Sequence, residues 1–284
     1  MRAKGVVIAA GPLGTNQLLA SCKHSGDLPR ISDRLGEVVR TNSESVMAVT
    51  APDDERDFTR SVSITSSIYP DPNTHIEVVT YGSGGDAISR LFTLMTGRGS
   101  KLTRPFLWVG QALRHPIKLM KTLWPFAWSR RTVILLVMQT LDTAISLRPR
   151  RKLGRGVRLQ TEQDPERPNP TFIPVANQAT AWMAERIGGV AQGGTFESIL
   201  NIPTTAHILG GAVIGADPER GVVDARNRVF GYEDLLVCDG SAIPANPGVN
   251  PSLTITALAE HAMAEIPPRP GTSSSASPSA RVAA

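Results

Sequence analysis

The alternation of apolar and polar residues along the chain predicts a mixed α/β protein. An apolar run at residues 5–10 predicts a buried strand, and the Gly and Pro residues at 11–15 predict a turn. A helix is expected to begin at Asn16, with Leu18 and Leu19 on its buried side. The amino-terminal residues therefore predict a strand, a turn and a helix in that order.

Later segments have the periodicity of strands and helices in turn. Residues 43–81 have the pattern of successive strands, and residues 131–140 predict another strand. Helical spacing of apolar residues is found at 175–187 and at 250–266. Residues 221–239 predict a β-hairpin that leads into a strand.

The overall composition is that of an ordinary globular protein. Hydrophobic residues make up 41% and charged residues 19% of the 284, which excludes general disorder and collagen-like repeats. No apolar run reaches the ~20 residues that a membrane-spanning helix needs. Two cysteines cannot form a disulfide framework and no signal peptide is visible, so a cytoplasmic location is expected. Residues 267–284 are rich in Pro, Ser and Ala and predict a disordered tail.

Positive charge is concentrated in one segment. Residues 101–152 contain eleven basic residues and one acidic residue, a net charge of +10 in a chain whose total is +5. Three of the four tryptophans lie in the same segment. The favoured interpretation is a solvated amphipathic helical pair over the substrate domain, and the alternative is a surface that contacts anionic lipid, which would make the protein membrane-associated. Because the charge is local, nucleic acid is not expected as a partner.

A glycine-rich segment at 82–87 has the spacing G-x-G-x-x-A and follows an apparent strand. A dinucleotide-binding loop of this kind also needs an acidic residue about 20 positions later to hold the ribose. The corresponding positions carry only the basic residues Lys101 and Arg104. The segment is therefore interpreted as a turn.

Two further segments contain residue types that can do chemistry. His207 stands in an apolar stretch before a glycine pair, and it can be a core histidine or a catalytic one. Asp239 and Gly240 end a predicted strand, and Asn250 and Pro251 then have the residue types of a helix N-cap and first helical position. The free N–H groups of such a helix suit an anion, although an ordinary capped helix has the same pattern.

Together, three segments resemble the glucose–methanol–choline (GMC) oxidoreductase family, in the family's order. They are A-A-G-P-L-G-T at 9–15, H-I-L-G-G at 207–211, and D-G-S at 239–241 with N-P-S-L-T-I at 250–255. The last stretch is most similar to the cholesterol oxidase branch. The likeness covers both ends of the chain and is weak from about 50 to 200. No metal site is expected.

The resemblance implies a bound FAD and the oxidation of an alcohol C–OH to a carbonyl, with a sterol among the candidate substrates. His207 would bind or deprotonate the hydroxyl, and Asn250 would occupy the second catalytic position. The positions implied for cofactor contact are Ala10, Gly11, Asp239, Gly240, Asn250, Pro251 and Ser252. Asp86 is the nearest counterpart of a glutamate in the cholesterol oxidase branch, but a surface or capping role is favoured for it.

The resemblance also implies a division into domains. Residues 1–42 and 226–266 would belong to an incomplete, Rossmann-like FAD-binding domain, and residues 43–225 would form a substrate-binding domain on a mostly antiparallel sheet. The family's strand and phosphate-binding glycine loop come before the segment that begins here at residue 9. We therefore expect the C-terminal half of an oxidoreductase, with weak FAD binding and little activity alone. The alternative is a non-catalytic relict or a membrane-surface-binding module.

Overall fold

The computed structural model describes residues 3–53, 55–151 and 156–267. The predicted disordered tail begins at residue 267, and its part from residue 268 onward lies outside the described residues. The strands are β1 (Val6–Ile8), β2 (Glu37–Arg40), β3 (Ser45–Thr50), β4 (Ile64–Asp71), β5 (Thr74–Val79), β6 (Phe92–Leu94), β7 (Thr132–Gln139), β8 (Ile145–Arg151), β9 (Val157–Gln163), β10 (Val190–Gly194), β11 (Leu209–Gly211) and β12 (Leu235–Val237). The α-helices are α1 (Gly11–Ser25), α2 (Arg104–Arg114), α3 (Pro116–Leu123), α4 (Trp128–Arg131), α5 (Pro174–Ile187), α6 (Thr195–Leu200) and α7 (Ser252–Ala264).

The described strands form three sheets. Six strands pair in the order β4-β5-β7-β3-β10-β6, and four pair in the order β11-β2-β8-β9. Every pairing in these two sheets is antiparallel. β1 and β12 form a separate parallel pair. The predicted mixed α/β fold with a mostly antiparallel sheet is confirmed.

One face of the six-stranded sheet is covered by α5. Met47, Ile76 and Leu135 point from three neighbouring strands toward Ile173 and Ala176 and form a buried core with them. Burial of such apolar area is the main source of stability in a layered fold. The helix predicted at 175–187 is therefore needed to cover this face.

The opposite face of the same sheet carries a second core. Ala48 and Ile134 pack there against Phe92 and Trp128, whose ring centroids are 5.5 Å apart. Trp128 is 1% exposed, so this part of the predicted basic, aromatic segment lies inside the protein. The central strands of the sheet are thus buried on both faces, whereas the edge strand β4 is exposed.

A third core surrounds the parallel pair. Ile8, Leu19 and Val237 pack with Val222 beneath α1. Across the predicted domain boundaries, β2 hydrogen-bonds to β8 as well as to β11. The boundaries at residues 42 and 225 remain predictions.

α1 begins earlier than its sequence pattern predicts. The predicted turn at 11–15 is wrong, since the helix already starts at Gly11. Pro12 suits the first helical turn because its fixed φ matches a helix. An N–H group at this position would have no partner within the helix, so its absence costs nothing. A carboxylate from Asp239 accepts a hydrogen bond from the Gly11 N–H. The helix start therefore depends on a residue that lies far away in the sequence.

The first part of the basic, aromatic segment, up to Arg131, contains the helices α2 to α4, and the strands β7 and β8 follow. The predicted helical pair is confirmed as α2 and α3, and α4 follows. Among the described residues, no helix is long and apolar enough to cross a membrane.

Candidate active site

A fully buried carboxylate organises the segment that contains His207. Glu44 accepts hydrogen bonds from the Thr205 hydroxyl at 2.9 Å and from the backbone N–H groups of Ala206 at 2.6 Å and His207 at 3.1 Å. His207 Nδ1 lies 2.7 Å from Glu44 Oε1. Because an ionised carboxylate only accepts hydrogen bonds, Nδ1 carries the proton and Nε2 of a neutral ring is left as an acceptor.

A second buried carboxylate holds Asn250. The Asn250 Nδ2 group donates to Glu77 Oε1 at 3.1 Å and to Oε2 at 2.9 Å. His75 Nε2 is 3.8 Å from the same Oε1. The amide nitrogen of Asn250 is thereby engaged, and its oxygen Oδ1 is the atom left to meet a ligand.

The expected N-cap role of Asn250 is wrong. α7 begins at Ser252, its cap position is Pro251, and no side chain caps its first turn. The Asn250 amide points to Glu77 instead of back to the helix. Pro251 is buried and Ser252 is exposed. The first N–H groups of α7 are consequently free of side-chain partners within the described residues.

The strand register brings both carboxylates to one face of the six-stranded sheet. Glu77 pairs with Leu136, which also pairs with Val46, so these three side chains share a face. Glu44 directly precedes β3 and bonds to Thr205 and Ala206, which line a cavity against the same face. Only β7 separates β3 from β5, which places the two strands about 10 Å apart.

An apolar cavity of about 350 Å³ lies on this face of the sheet. Val46, Val79, Ile134 and Leu136 form its floor, and residues 204–206, next to His207, form part of its wall. The cavity therefore lies beside the histidine that Glu44 holds.

Asp239 joins the two ends of the chain. Its carboxylate accepts hydrogen bonds from Gly11 N at 3.0 Å and Thr15 Oγ1 at 2.5 Å, and from both N–H and O–H of Ser241. Ala10 N–H in turn donates to the Thr15 hydroxyl at 3.2 Å. The predicted cofactor contacts Ala10, Gly11 and Asp239 are thus neighbours, and the carboxylate is occupied within the protein.

The glycine pair after His207 allows close approach of other chain segments. A Cβ at Gly210 would overlap the Val38 carbonyl, and one at Gly211 would overlap the Asn16 side chain. Both glycines have positive φ, 80° and 89°. Gly240 lies nearby, and its Cβ would be 3.0 Å from Leu209. These glycines therefore serve packing between segments.

Asp86 caps α4. It accepts hydrogen bonds from the backbone N–H groups of Ala127 at 3.0 Å and Ser129 at 2.8 Å and from the Ser129 hydroxyl at 2.6 Å. Burial alone would raise the pKa of this carboxyl, but the hydrogen bonds from Ser129 and Ala127 and the charge of Arg131 hold it below its ordinary value. The capping interpretation is confirmed, and the segment at 82–87 forms a turn and the start of the 3-10 helix Gly85–Leu91.

Residues 136–259 match the family model described as GMC oxidoreductase. This part of the chain is a GMC oxidoreductase domain. Over 265 residues the chain is 49% identical to a cholesterol oxidase of Mycobacterium tuberculosis strain H37Rv, covering 90% of this chain and 45% of the relative. A cholesterol oxidase of Acinetobacter baumannii is 44% identical over 270 residues, covering 94% of this chain and 48% of the relative.

A solved structure of pyridoxine 4-oxidase from Mesorbium loti superposes with a TM-score of 0.48 at 15% identity, covering 92% of this chain and 50% of the other. The chain spans about half the length of the curated relatives that it matches. Its similarity to the cholesterol oxidases extends well beyond the GMC oxidoreductase domain, because it also includes most of residues 1–135.

The GMC oxidoreductase domain contains His207 and Asn250, but their partners Glu44 and Glu77 lie before it. Sequence reasoning missed both carboxylates. A signal was present, since each lies beside or within an apolar strand where an acidic residue is costly to bury without partners. Their burial with hydrogen-bond donors makes them part of the candidate site.

Proposed function

We propose that this chain supplies the substrate-binding and proton-handling part of an FAD-dependent oxidoreductase that converts a CH–OH group to a carbonyl. The observation that carries the proposal is the pair of buried carboxylates that hold His207 and Asn250 on one face of a sheet, beside an apolar cavity. Buried titratable groups arranged around a cavity are typical of active sites. The family of residues 136–259 supports the same reaction class.

His207 would receive the proton of the substrate hydroxyl. Its Nδ1–H donates to Glu44, so Nε2 is the basic atom, and Glu44 stabilises the positive charge that the ring gains. Asn250, with its amide plane fixed by Glu77, would contact the alcohol carbon beside that hydroxyl, whose one proton goes to His207. When the hydroxyl is held between these two groups, the C–H bond of the carbon that bears it is directed to one side. This fixed orientation by itself makes the C–H bond more reactive.

The residues present fit an FAD. Space is open beside Gly11, where no atom lies within 4 Å of a Cβ position, and the exposed first turn of α7 has N–H groups that no side chain caps. Ala10, Gly11, Asp239, Gly240, Pro251 and Ser252 are the residues we propose to hold it. When bound, FAD supplies the hydride acceptor, and the positive end of α7 favours negative charge next to it.

We propose an apolar alcohol of sterol type as the substrate. The cavity is lined mainly by aliphatic and aromatic side chains, with Tyr81 and Phe196 among them. Curated relatives at 44% and 49% identity bear the name cholesterol oxidase. A cytoplasmic location stays a prediction from the sequence.

The test is reduction of added flavin by an alcohol. The purified chain is mixed anaerobically with excess FAD, so that low affinity does not hide the reaction, and then with a sterol or with a small polar alcohol. We expect the flavin absorbance to fade with the sterol only. The change His207→Gln should slow this at least about 100-fold, the scale of a lost general base.

The matched control is His261→Gln, because His261 is exposed near the far end of α7. It should reduce flavin as the unchanged chain does. The proposal fails if FAD binds but neither alcohol reduces it in any variant. An absence of FAD binding at any concentration would favour the non-catalytic alternative.

A further inference from the structure

α2 and α3 expose their apolar residues to solvent. Leu102, Phe106 and Leu113 are 79%, 78% and 78% exposed, and their spacing places them on one side of α2 and the residues before it. Ile117 and Met120 continue the surface along α3, at 70% and 72% exposed. We call the exposed apolar residues 102–124 the apolar stripe. Its size exceeds the scattered single exposures that are normal on a protein surface.

The inner side of α2 carries polar groups that bond to neighbouring elements. Arg104 is 1% exposed and donates from its guanidinium to the backbone carbonyl of Glu197. Trp108 Nε1 donates to the Thr93 hydroxyl at 2.9 Å. Turning α2 over to bury the apolar stripe would break these hydrogen bonds and leave buried polar groups unpaired, which is costly. The helices are therefore held with the stripe outward.

Basic residues flank the stripe without any acidic neighbour in the sequence. Lys101, Arg114, Lys118 and Lys121 are exposed. No Asp or Glu occurs between Asp86 and Asp142. A row of cations along an apolar stripe is complementary to a surface that is apolar inside and negatively charged at its edge.

We propose that the surface formed by α2 and α3 docks on an anionic lipid bilayer, with the stripe in the acyl boundary and the lysines at the phosphates. Trp124, 59% exposed at the end of α3 and 5.3 Å from the ring of Phe126, adds aromatic area at headgroup depth. An anionic bilayer presents both kinds of surface side by side, acyl chains for the stripe and phosphates for the lysines.

The docking surface lies next to the apolar cavity. α3 packs on the 3-10 helix Gly85–Leu91, and α2 packs on α6. Leu91 and Phe196, which belong to those two neighbours, line the cavity and are 55% and 50% exposed. Docking would bring the cavity walls close to the bilayer. The proposal itself does not depend on flavin chemistry.

Cosedimentation of the 284-residue chain with vesicles tests the proposal. One vesicle type contains phosphatidylcholine alone and the other adds phosphatidylglycerol. We expect binding to the anionic vesicles, and this binding should be weaker at high salt. Binding should be accompanied by a blue shift of tryptophan emission that is absent from Trp124→Phe.

Variants of the docking surface should bind the anionic vesicles more weakly. Lys118→Gln and Lys121→Gln should each weaken binding about fivefold. The double change Leu113→Ser with Ile117→Ser should also weaken it.

Matched controls are Val62→Ser, an apolar residue 71% exposed elsewhere, and Arg158→Gln, an exposed cation on β9. Both should bind as the unchanged chain does, and thermal unfolding checks that all variants fold. Binding to neither vesicle type overturns the proposal, as does binding that the stripe and lysine variants do not alter. Self-association that Leu113→Ser with Ile117→Ser abolishes, or nucleic acid that displaces vesicles, would also overturn it.

Discussion

Carboxylates that accept several hydrogen bonds hold the candidate site together at the scale of single residues. Glu44 engages the segment of His207, Glu77 engages Asn250, and Asp239 engages the start of α1. Hydrogen bonds to an ionised acceptor are stronger than neutral ones, and each of these acids has donors that would be left unpaired without it. The site is therefore sensitive to changes one atom in size.

Glu44→Gln should release the fixed tautomer of His207. A glutamine has one acceptor oxygen, and its NH₂ group would face the N–H groups that now donate to Glu44. We expect a loss of unfolding free energy on the order of 2 kcal/mol. In ¹⁵N NMR, His207 should change from a ring protonated at Nδ1 to a mixture of tautomers. His261 should not change, and an unaltered His207 spectrum in the variant would contradict the assignment.

Asn250→Asp should make stability depend on pH. The change places a carboxylate against Glu77, and two like charges at hydrogen-bond distance cannot both ionise without cost. We expect a loss on the order of 2 kcal/mol at neutral pH that shrinks in acid, measured by denaturant unfolding at several pH values. Adding Glu77→Gln should restore most of the loss. No restoration would show that the two side chains do not interact.

At the scale of elements, contacts between distant segments depend on close backbone approach. α1 touches β11 through Asn16, whose Nδ2 donates to the Gly210 carbonyl at 3.1 Å. β11 in turn pairs with β2. The glycine pair therefore links the helix of the parallel unit to the four-stranded sheet.

Gly211→Ala should weaken this link. Its Cβ would lie 2.7 Å from Asn16 Cγ, and its φ of +89° is strained for any residue with a Cβ. We expect a loss of about 3 kcal/mol or more in denaturant unfolding. The control is Gly110→Ala in α2, where no atom lies within 4 Å of the added Cβ. This change should raise the free energy of unfolding by about 0.5–1 kcal/mol. Equal effects of the two changes would contradict the packing role.

At the scale of the whole molecule, a buried acid joins separate parts of the fold. Glu197 in α6 accepts from the Ser45 hydroxyl of β3 at 2.9 Å, and Arg104 of α2 binds its carbonyl. Burial raises the pKa of Glu197 from 4.5 to about 7, although Ser45 and Arg104 oppose the rise. The folded protein therefore holds this proton at a pH where the unfolded chain has lost it.

Stability should fall as pH rises from about 4.5 to about 7 because of Glu197. In this window the folded state binds more protons than the unfolded state, so the free energy of unfolding decreases with pH. Glu197→Gln should remove up to about 3 kcal/mol of that decrease. The measurement is the difference in unfolding free energy between the unchanged and variant chains. The exposed Glu260→Gln is the control, and a difference that does not vary with pH would contradict the prediction.

Much of the secondary structure could be predicted because periodicity is local. β1, β7, α5 and the helix that became α7 follow from the spacing of apolar residues. The start of α1 at Gly11 and the absence of a side-chain N-cap on α7 could not be predicted from periodicity. Both depend on carboxylates more than 170 residues away, Asp239 at Gly11 and Glu77 at Asn250.

The sequence by itself determined the fold class, the family of residues 136–259 and the positions of His207 and Asn250, because short motifs and periodic spacing carry that information. Only the tertiary structure decided which groups hold them. Glu44 reaches His207 across 163 residues because the start of β3 meets the loop before β11. The tertiary structure also decided that the apolar stripe faces outward, since hydrogen bonds of Arg104 and Trp108 hold the inner side of α2 against its neighbours. Pairing across such distances is fixed by strand register and burial, which no local pattern encodes.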